Sequence, residues 1–256
     1  MAAPPVLRVV EHQAYVFKSF WRGTLFAYVL NPLLYLGALG FGLGALITQN
    51  QGEVDGLPYV EFVAPGLMAA AAMMAAAGDS LWPIMAGTKW LRVFHAMVAT
   101  PIAPRDVYTG TVIWTSLRAG MGAIVFLAVA AALGAIPSIW GVVAIPSAAL
   151  TAAAFAAVLS AYAATQETDL RFTVIMRLGI MPLFLLSGTF FPISQLPDGL
   201  QALAWLSPLW HGVELCRAST TGTLALVDIV HVAVLAGVVL CGWLWGTRTF
   251  AAKLAP

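Results

Sequence analysis

A chain of 256 residues that is 61% hydrophobic and 9% charged, with a formal net charge of +1, lacks the polar surface that a soluble fold of its size requires. Soluble domains are about 45–50% apolar and about 25% charged; a mean hydropathy of +0.90 makes lipid the solvent for most of this chain and predicts an all-α polytopic membrane protein. The charge balance carries no nucleic-acid signature, and Cys216 and Cys241 lie too far apart for metal-type spacing, leaving two unpaired thiols or, as the alternative, one disulfide.

The first 22 residues carry charges throughout and no uninterrupted apolar core, which argues against a cleavable signal peptide. Val6, Val10, Ala14, Phe17 and Trp21 recur at helical spacing, while Arg8, Glu11, His12, Tyr15, Lys18 and Arg22 occupy the other side. That pattern predicts an amphipathic helix over 6–22 lying in the headgroup layer, either a plain anchor or an elbow against a partner. Gly23 to Gly52 is uncharged and supplies the first span, 23–48, bent at Pro32, which removes a backbone hydrogen bond and clashes with the turn before it. The second span, 59–85, is rich in Ala and Met. Ala119 to Gln166 is again uncharged, about 70 Å if helical, enough for two crossings. With "LGAIPS" as the turn, these are spans three (107–133) and four (139–164), and spans five and six are 172–190 and 226–245.

Six spans put both termini on one side. Ten of the twelve Lys and Arg (Arg8, Lys18, Arg22, Lys89, Arg92, Arg105, Arg171, Arg177, Arg248 and Lys253) then fall on that side, against Arg217 on the other and Arg118 within a span. The positive-inside rule makes the rich side cytoplasmic. The nine Trp, among them Trp205, Trp210, Trp243 and Trp245, suit headgroup belts.

Two connections carry more than topology. The loop "AGTKWLRVFHAMVATPIAPRD" predicts a short amphipathic helix over 89–100, with Trp90, Val93, Phe94 and Met97 on one face and Lys89, Arg92 and His95 elsewhere, stopped by Pro101 and Pro104. Such a helix is a lever for a soluble partner, or a surface helix with none. The stretch "LLSGTFFPISQLPDGLQALAWLSPLWHGVELCRA" is too broken by Pro192, Pro197 and Pro208 to span and too apolar for a water-exposed loop. It predicts a re-entrant helical hairpin over 191–217, entered through Phe190, Phe191 and Pro192, whose freed backbone groups are buried in protein or line a wet cavity. His211 and Glu214 are one turn apart and within hydrogen-bonding reach; with Arg217 they form a polar cluster capping the hairpin, not a metal site, since a third good ligand is lacking. His231 and Asp228 read as interfacial. Arg118 has two readings: it snorkels to the headgroups, or it faces inward to pair with Asp79 or to meet an anionic lipid substrate.

"MPLFLLSGTFFPISQLPDGLQALAWLSPLWHGVELCRA" resembles the signature region of type-2 ABC exporter permeases, and "ATPIAPRDVYTGTVIWTSLRAG" resembles their cytoplasmic loop. Both are similar to the branch of nodulation-factor (lipo-oligosaccharide) and polyketide-drug exporter permeases, and the resemblance covers nearly the whole chain. It implies one membrane domain over 1–256 that pairs with a second permease, identical or paralogous. Each permease would engage a cytoplasmic ATPase subunit, two per complex, which binds the ATP and Mg; this chain itself would bind no cofactor. It further implies a coupling helix at 89–100, with Lys89, Trp90, Arg92, Phe94 and His95 as ATPase contacts, and a gate helix at 6–22 with Phe17, Lys18, Trp21 and Arg22. The hairpin, including Pro197, His211, Glu214 and Arg217, would seal the outer side. No G-x-x-x-x-G-K-[ST] loop occurs, in keeping with ATP hydrolysis on another chain. The expected cargo is a glycolipid, lipo-oligosaccharide or hydrophobic drug. An intramembrane enzyme would need nucleophile–base pairs or metal ligands in the spans, and a gradient-driven transporter would need buried midplane acids and repeated halves; neither pattern is evident.

Overall fold

The computed structural model describes residues 4–255, and the chain runs through it as a succession of helices. α1 is Pro5–Phe17. α2 is Trp21–Tyr35, widening to π geometry over Leu36–Leu43 and finishing as Gly44–Gln51. α3 is Tyr59–Ser80, continued past a kink by Trp82–Met85 and a π-helical turn, Ala86–Trp90. α4 is Val93–Val98 and α5 is Pro104–Ala132. α6 is Ala144–Thr165, led in by a 3-10 turn at Ile139–Val143. α7 is Leu170–Val174, Ile175–Ile180 in π geometry, and Met181–Leu186. α8 is Asp198–Leu206, α9 is Pro208–Thr221 and α10 is Asp228–Leu254.

Among the described residues, five helices are long and apolar enough to cross a membrane: Trp21–Ile47, Tyr59–Trp90, Pro104–Ala132, Ile139–Thr165 and Asp228–Leu254. The expected span at 172–190 is instead the 17-residue α7. At 1.5 Å per residue it is about 25 Å long, short of a hydrocarbon core of about 30 Å. It stops at Ser187, and Gly188 at φ 74° turns the chain into the hairpin, a conformation that suits a residue without Cβ.

α6 is the axis of the bundle, packed on α3, α5, α9 and α10. Its buried face is mostly alanine (Ala148, Ala152, Ala156 and Ala161 among others), and the buried face of α3 carries Ala69, Ala72, Ala76 and Ala77. In lipid, helices gain nothing from hiding apolar surface from water, so close backbone approach through small residues drives the association. Gly242 and Gly246 of α10 make the tightest seam. A Cβ at Gly242 would come within 2.7 Å of Ala157 Cβ, and one at Gly246 would enter the Tyr108 ring. The Tyr108 hydroxyl lies 2.9 Å from the Ala157 carbonyl and 2.8 Å from the Gly242 carbonyl, so one proton is shared between α6 and α10. Thr111 and Thr151 spend their protons locally, on the Val107 and Ser147 carbonyls, both a turn back.

Three expected boundaries are corrected. The amphipathic helix does not reach residue 22: it ends at Phe17, Ser19 Oγ donates to the Val16 carbonyl, and Phe20 leaves helical geometry at φ −131°, ψ 9°. Trp21 and Arg22 therefore belong to α2. The last helix runs nine residues past the expected 245, to Leu254, because "GTRTFAAKL" contains no proline and its one glycine, Gly246, is packed against Tyr108. The helix expected over 89–100 is broken at Arg92, whose left-handed φ of 54° and ψ of 25° separate the end of α3 from the six-residue α4.

Candidate functional site

One end of the bundle gathers α1, α4, the α6–α7 loop and the last turn of α10. Val9, flanked by the half-buried Val6 and Val10, is the most buried residue of α1 and packs on α5 at Gly110, where a Cβ would sit 2.7 Å from Val9 Cβ. The expected apolar stripe omitted Val9. Phe17 meets Phe20 and Trp114 edge-on at 5.4 and 5.7 Å, while Lys18 is exposed and the Arg22 guanidinium lies 5.7 Å above its neighbour Trp21. Between α1 and α4 runs a groove of about 320 Å³, bordered by Arg8, His12, Val93 and Met97.

At the corner between α3 and α4 the expected contact residues separate into two sets. Trp90 and Leu91 are 56% and 73% exposed, and Arg92 is exposed. Phe94, expected to contact a partner, is 4% exposed and points inward instead. A Cβ at Gly87 would sit 2.6 Å from its ring, and the Phe250 ring of α10 is 6.1 Å away. His95 is half-buried on α4. Lys89 faces sideways and binds Glu167 in the α6–α7 loop through both the carboxylate and, at 2.8 Å, the carbonyl. Lys253 of α10 holds the other carboxylate oxygen at 2.7 Å. Hydrogen bonds from Lys253 and then Lys89, with their charges, hold the Glu167 carboxyl down at about 2. Glu167 carried no role in the sequence reading, and Lys253 counted only toward the orientation.

Above this end, α3 kinks at Leu81, since Pro83 has no N–H to donate to the Asp79 carbonyl a turn back. The Asp79 side chain pairs with Arg118 of α5 at 2.9 Å, both side chains about four-fifths buried. Tyr28 of α2 joins them by donating to the Arg118 carbonyl at 3.3 Å. Beside Tyr28 opens a cavity of about 400 Å³ between α2, α3, α5 and α7. Its walls are apolar (Met68, Ala72, Phe126 and Phe184 among them), and Tyr28, Asn31 and Tyr35 give the α2 side a polar stripe.

At the opposite end, Arg217 of α9 is the tie. It pairs with Glu214 at 2.7 Å, donates to the Gly188 carbonyl at 2.7 Å, and lies 4.1 Å over the Phe62 ring of α3. Phe190 stacks edge-on against Phe184 at 5.0 Å and its carbonyl accepts from Tyr59 at 3.3 Å; Pro192 is buried, Phe191 half-buried and Pro197 exposed. The expected His211–Glu214 bond is not made, because Arg217 takes Glu214. His211 reaches instead to His231 of α10, Nδ1 to Nδ1 at 2.7 Å. His231, expected at the interface, is 8% exposed. Cys216 is buried and Cys241 exposed, both as free thiols. Among the described residues no group of three metal-ligating side chains converges.

Residues 13–220 match the family described as ABC-2 type transporter. "Nodulation protein J" of Sinorhizobium fredii (strain NBRC 101917 / NGR234) is 34% identical over 203 residues, 77% of this chain and 75% of that protein. The protein of the same name from Rhizobium leguminosarum bv. viciae is 30% identical over 238 residues, 91% of this chain and 90% of its own. The one from Rhizobium meliloti (strain 1021) is 30% identical over 225 residues, 86% and 83% respectively. A chain of this composition, with this helical bundle and this match, is a multi-pass transport subunit and not itself an enzyme: it belongs to the ABC-2 type transporter family.

Proposed function

We propose that this chain is the permease of an ATP-driven exporter that moves an amphiphile, a glycolipid, lipo-oligosaccharide or hydrophobic drug, outward across the cytoplasmic membrane. Both termini lie in the cytoplasm, the short α7 and the hairpin that continues it together making the sixth crossing. A second permease, identical or paralogous, completes the path, and two ATPase subunits carry the ATP and Mg. The observation that carries this reading is the α3–α4 corner: Trp90 and Leu91 face out to receive a push, while Phe94 is wedged between Gly87 of α3 and Phe250 of α10 to pass it on. The apolar cavity beside Tyr28 is the place for the cargo's greasy part, since a site of about 300–1,000 Å³ with apolar walls and a few polar groups suits such a ligand.

Co-expression with a candidate ABC ATPase subunit, followed by transport into inverted vesicles, tests the assignment. Uptake is expected to need ATP hydrolysis and to resist an uncoupler. Replacing Trp90 and Leu91 together by Ala is expected to release the ATPase on purification while leaving the permease folded. Full-rate uptake without any nucleotide-hydrolysing subunit, or uptake abolished by the uncoupler alone, would overturn it.

A further inference from the structure

The imidazoles of His211 and His231 meet in the seam where α9 passes α10, 7% and 8% exposed. Their Nδ1 atoms are 2.7 Å apart, a hydrogen-bond distance at which one ring donates and the other accepts. Trp210 packs edge-on against both rings, at 4.8 and 5.1 Å. The pair joins two elements with different attachments. Both elements rest on α6, α10 through Gly242 and α9 through Gly212, where a Cβ would collide with Thr151 Oγ1; α10 is also held to α5 through Gly246 and Tyr108, whereas α9 follows the break at Gly188 and reaches α10 through a turn at 222–227.

We propose that this pair is a proton-operated latch holding the re-entrant hairpin against α10. Two neutral imidazoles share one N–H···N bond. A first added proton goes to the outer Nε2 of the donor ring and leaves that bond intact. A second must go to the accepting Nδ1, which turns two N–H groups and two positive charges toward each other at 2.7 Å. The bond is then lost and the helices part. Nothing nearby offsets the second charge. Glu214, on the same helix as His211, is taken by Arg217, and Asp228, at the start of α10, accepts from the Ala225 N–H. The α6 wall offers Leu150, Thr151 and Ala154, and from α8 only the Trp205 carbonyl faces His211. The latch is therefore closed at neutral pH and opens on acidification.

The latch as a contact stands without the transport assignment; its role as an exit gate rests on that reading. The test uses the full-length chain in lipid nanodiscs, both cysteines replaced by Ala, with spin labels at Leu203 on α8 and Leu240 on α10, both exposed. Inter-label distances are measured at pH 8 and pH 5, with no ATPase or cargo present. One short-distance population is expected at pH 8, with a second, longer one at pH 5. His231→Asn, whose amide presents a non-titrating group where Nδ1 stands, is expected to hold the short population at both pH values; His231→Leu is expected to show the longer one at both. An unchanged distribution in the native pair, or the same acid-induced population in His231→Asn, overturns the proposal. Acid opening in an assembly whose transport rate ignores pH would leave the latch standing and remove the gate.

Discussion

The Asp79–Arg118 pair permits a quantitative test. Both side chains are about four-fifths buried, 2.9 Å apart, and each is the other's counter-charge. Arg118→Leu leaves the Asp79 carboxylate in the bundle without a partner. Breaking a buried pair from one side costs about 3–5 kcal/mol; with a fifth of each side chain still exposed, about 2–4 kcal/mol is the working figure. For a chain of this length that lowers the thermal midpoint by about 5–15 °C. The double variant Arg118→Leu/Asp79→Leu removes both charges and is expected to unfold within about 1 kcal/mol of the native chain, since buried pairs seldom outperform apolar side chains of similar volume. Tryptophan-fluorescence melts of the four chains in one detergent complete the double-mutant cycle. Arg118→Leu as stable as the native chain would mean that the charged pair contributes no stability, Asp79 being hydrated or protonated once Arg118 is gone. Restored stability with lost transport in the double variant would separate a transport role from a structural one.

Three further outcomes are expected. Gly246→Ala drives a methyl into the Tyr108 ring and should cost about 1–3 kcal/mol by overpacking, read in the same melts, whereas Gly199→Ala, where nothing approaches, should be silent. Phe94→Ala empties the wedge between Gly87 and Phe250 and should lower stability by about 3 kcal/mol; in the assembled transporter, ATP hydrolysis should continue while uptake falls. Glu167, with its folded carboxyl pulled to about 2 from an ordinary 4.5, contributes stability that is fully present above about pH 4.5 and lost as pH falls toward 2. Glu167→Gln should flatten that acid limb, and salt should weaken the native one, because the clasp is exposed.

The all-helical membrane class was legible because uncharged runs of 20 or more residues admit few other solutions, and the family was legible in "FLLSGTFFPISQLP". What failed was direction within the bundle. Phe94 was expected to face outward because helical periodicity sorts residues into faces without saying which face meets protein, and nothing in "KWLRVF" announces a left-handed Arg92. His231 was read as interfacial because its partner on α9 comes from a re-entrant helix whose depth no hydropathy window gives. Arg118 had two readings because choosing between them needs the rotation of α5 against α3. Glu167 carried no signal at all: its partners sit 78 and 86 residues away. The G-x-x-x-G of α10, Gly242 to Gly246, was the signal left unused.

The shared hydroxyl proton of Tyr108 has a consequence for motion. It ties α5, α6 and α10 at one crossing, so these three form a stator whose members cannot slide independently without stranding the Tyr108 hydroxyl in the buried seam. α2 and α7 lie outside that tie; both carry π-helical turns, as the end of α3 does, and both are walls of the same cavity. Under the proposed transport role, a stroke would be a swing of two weakened staves against a fixed post, and the cavity between them the volume that the swing empties.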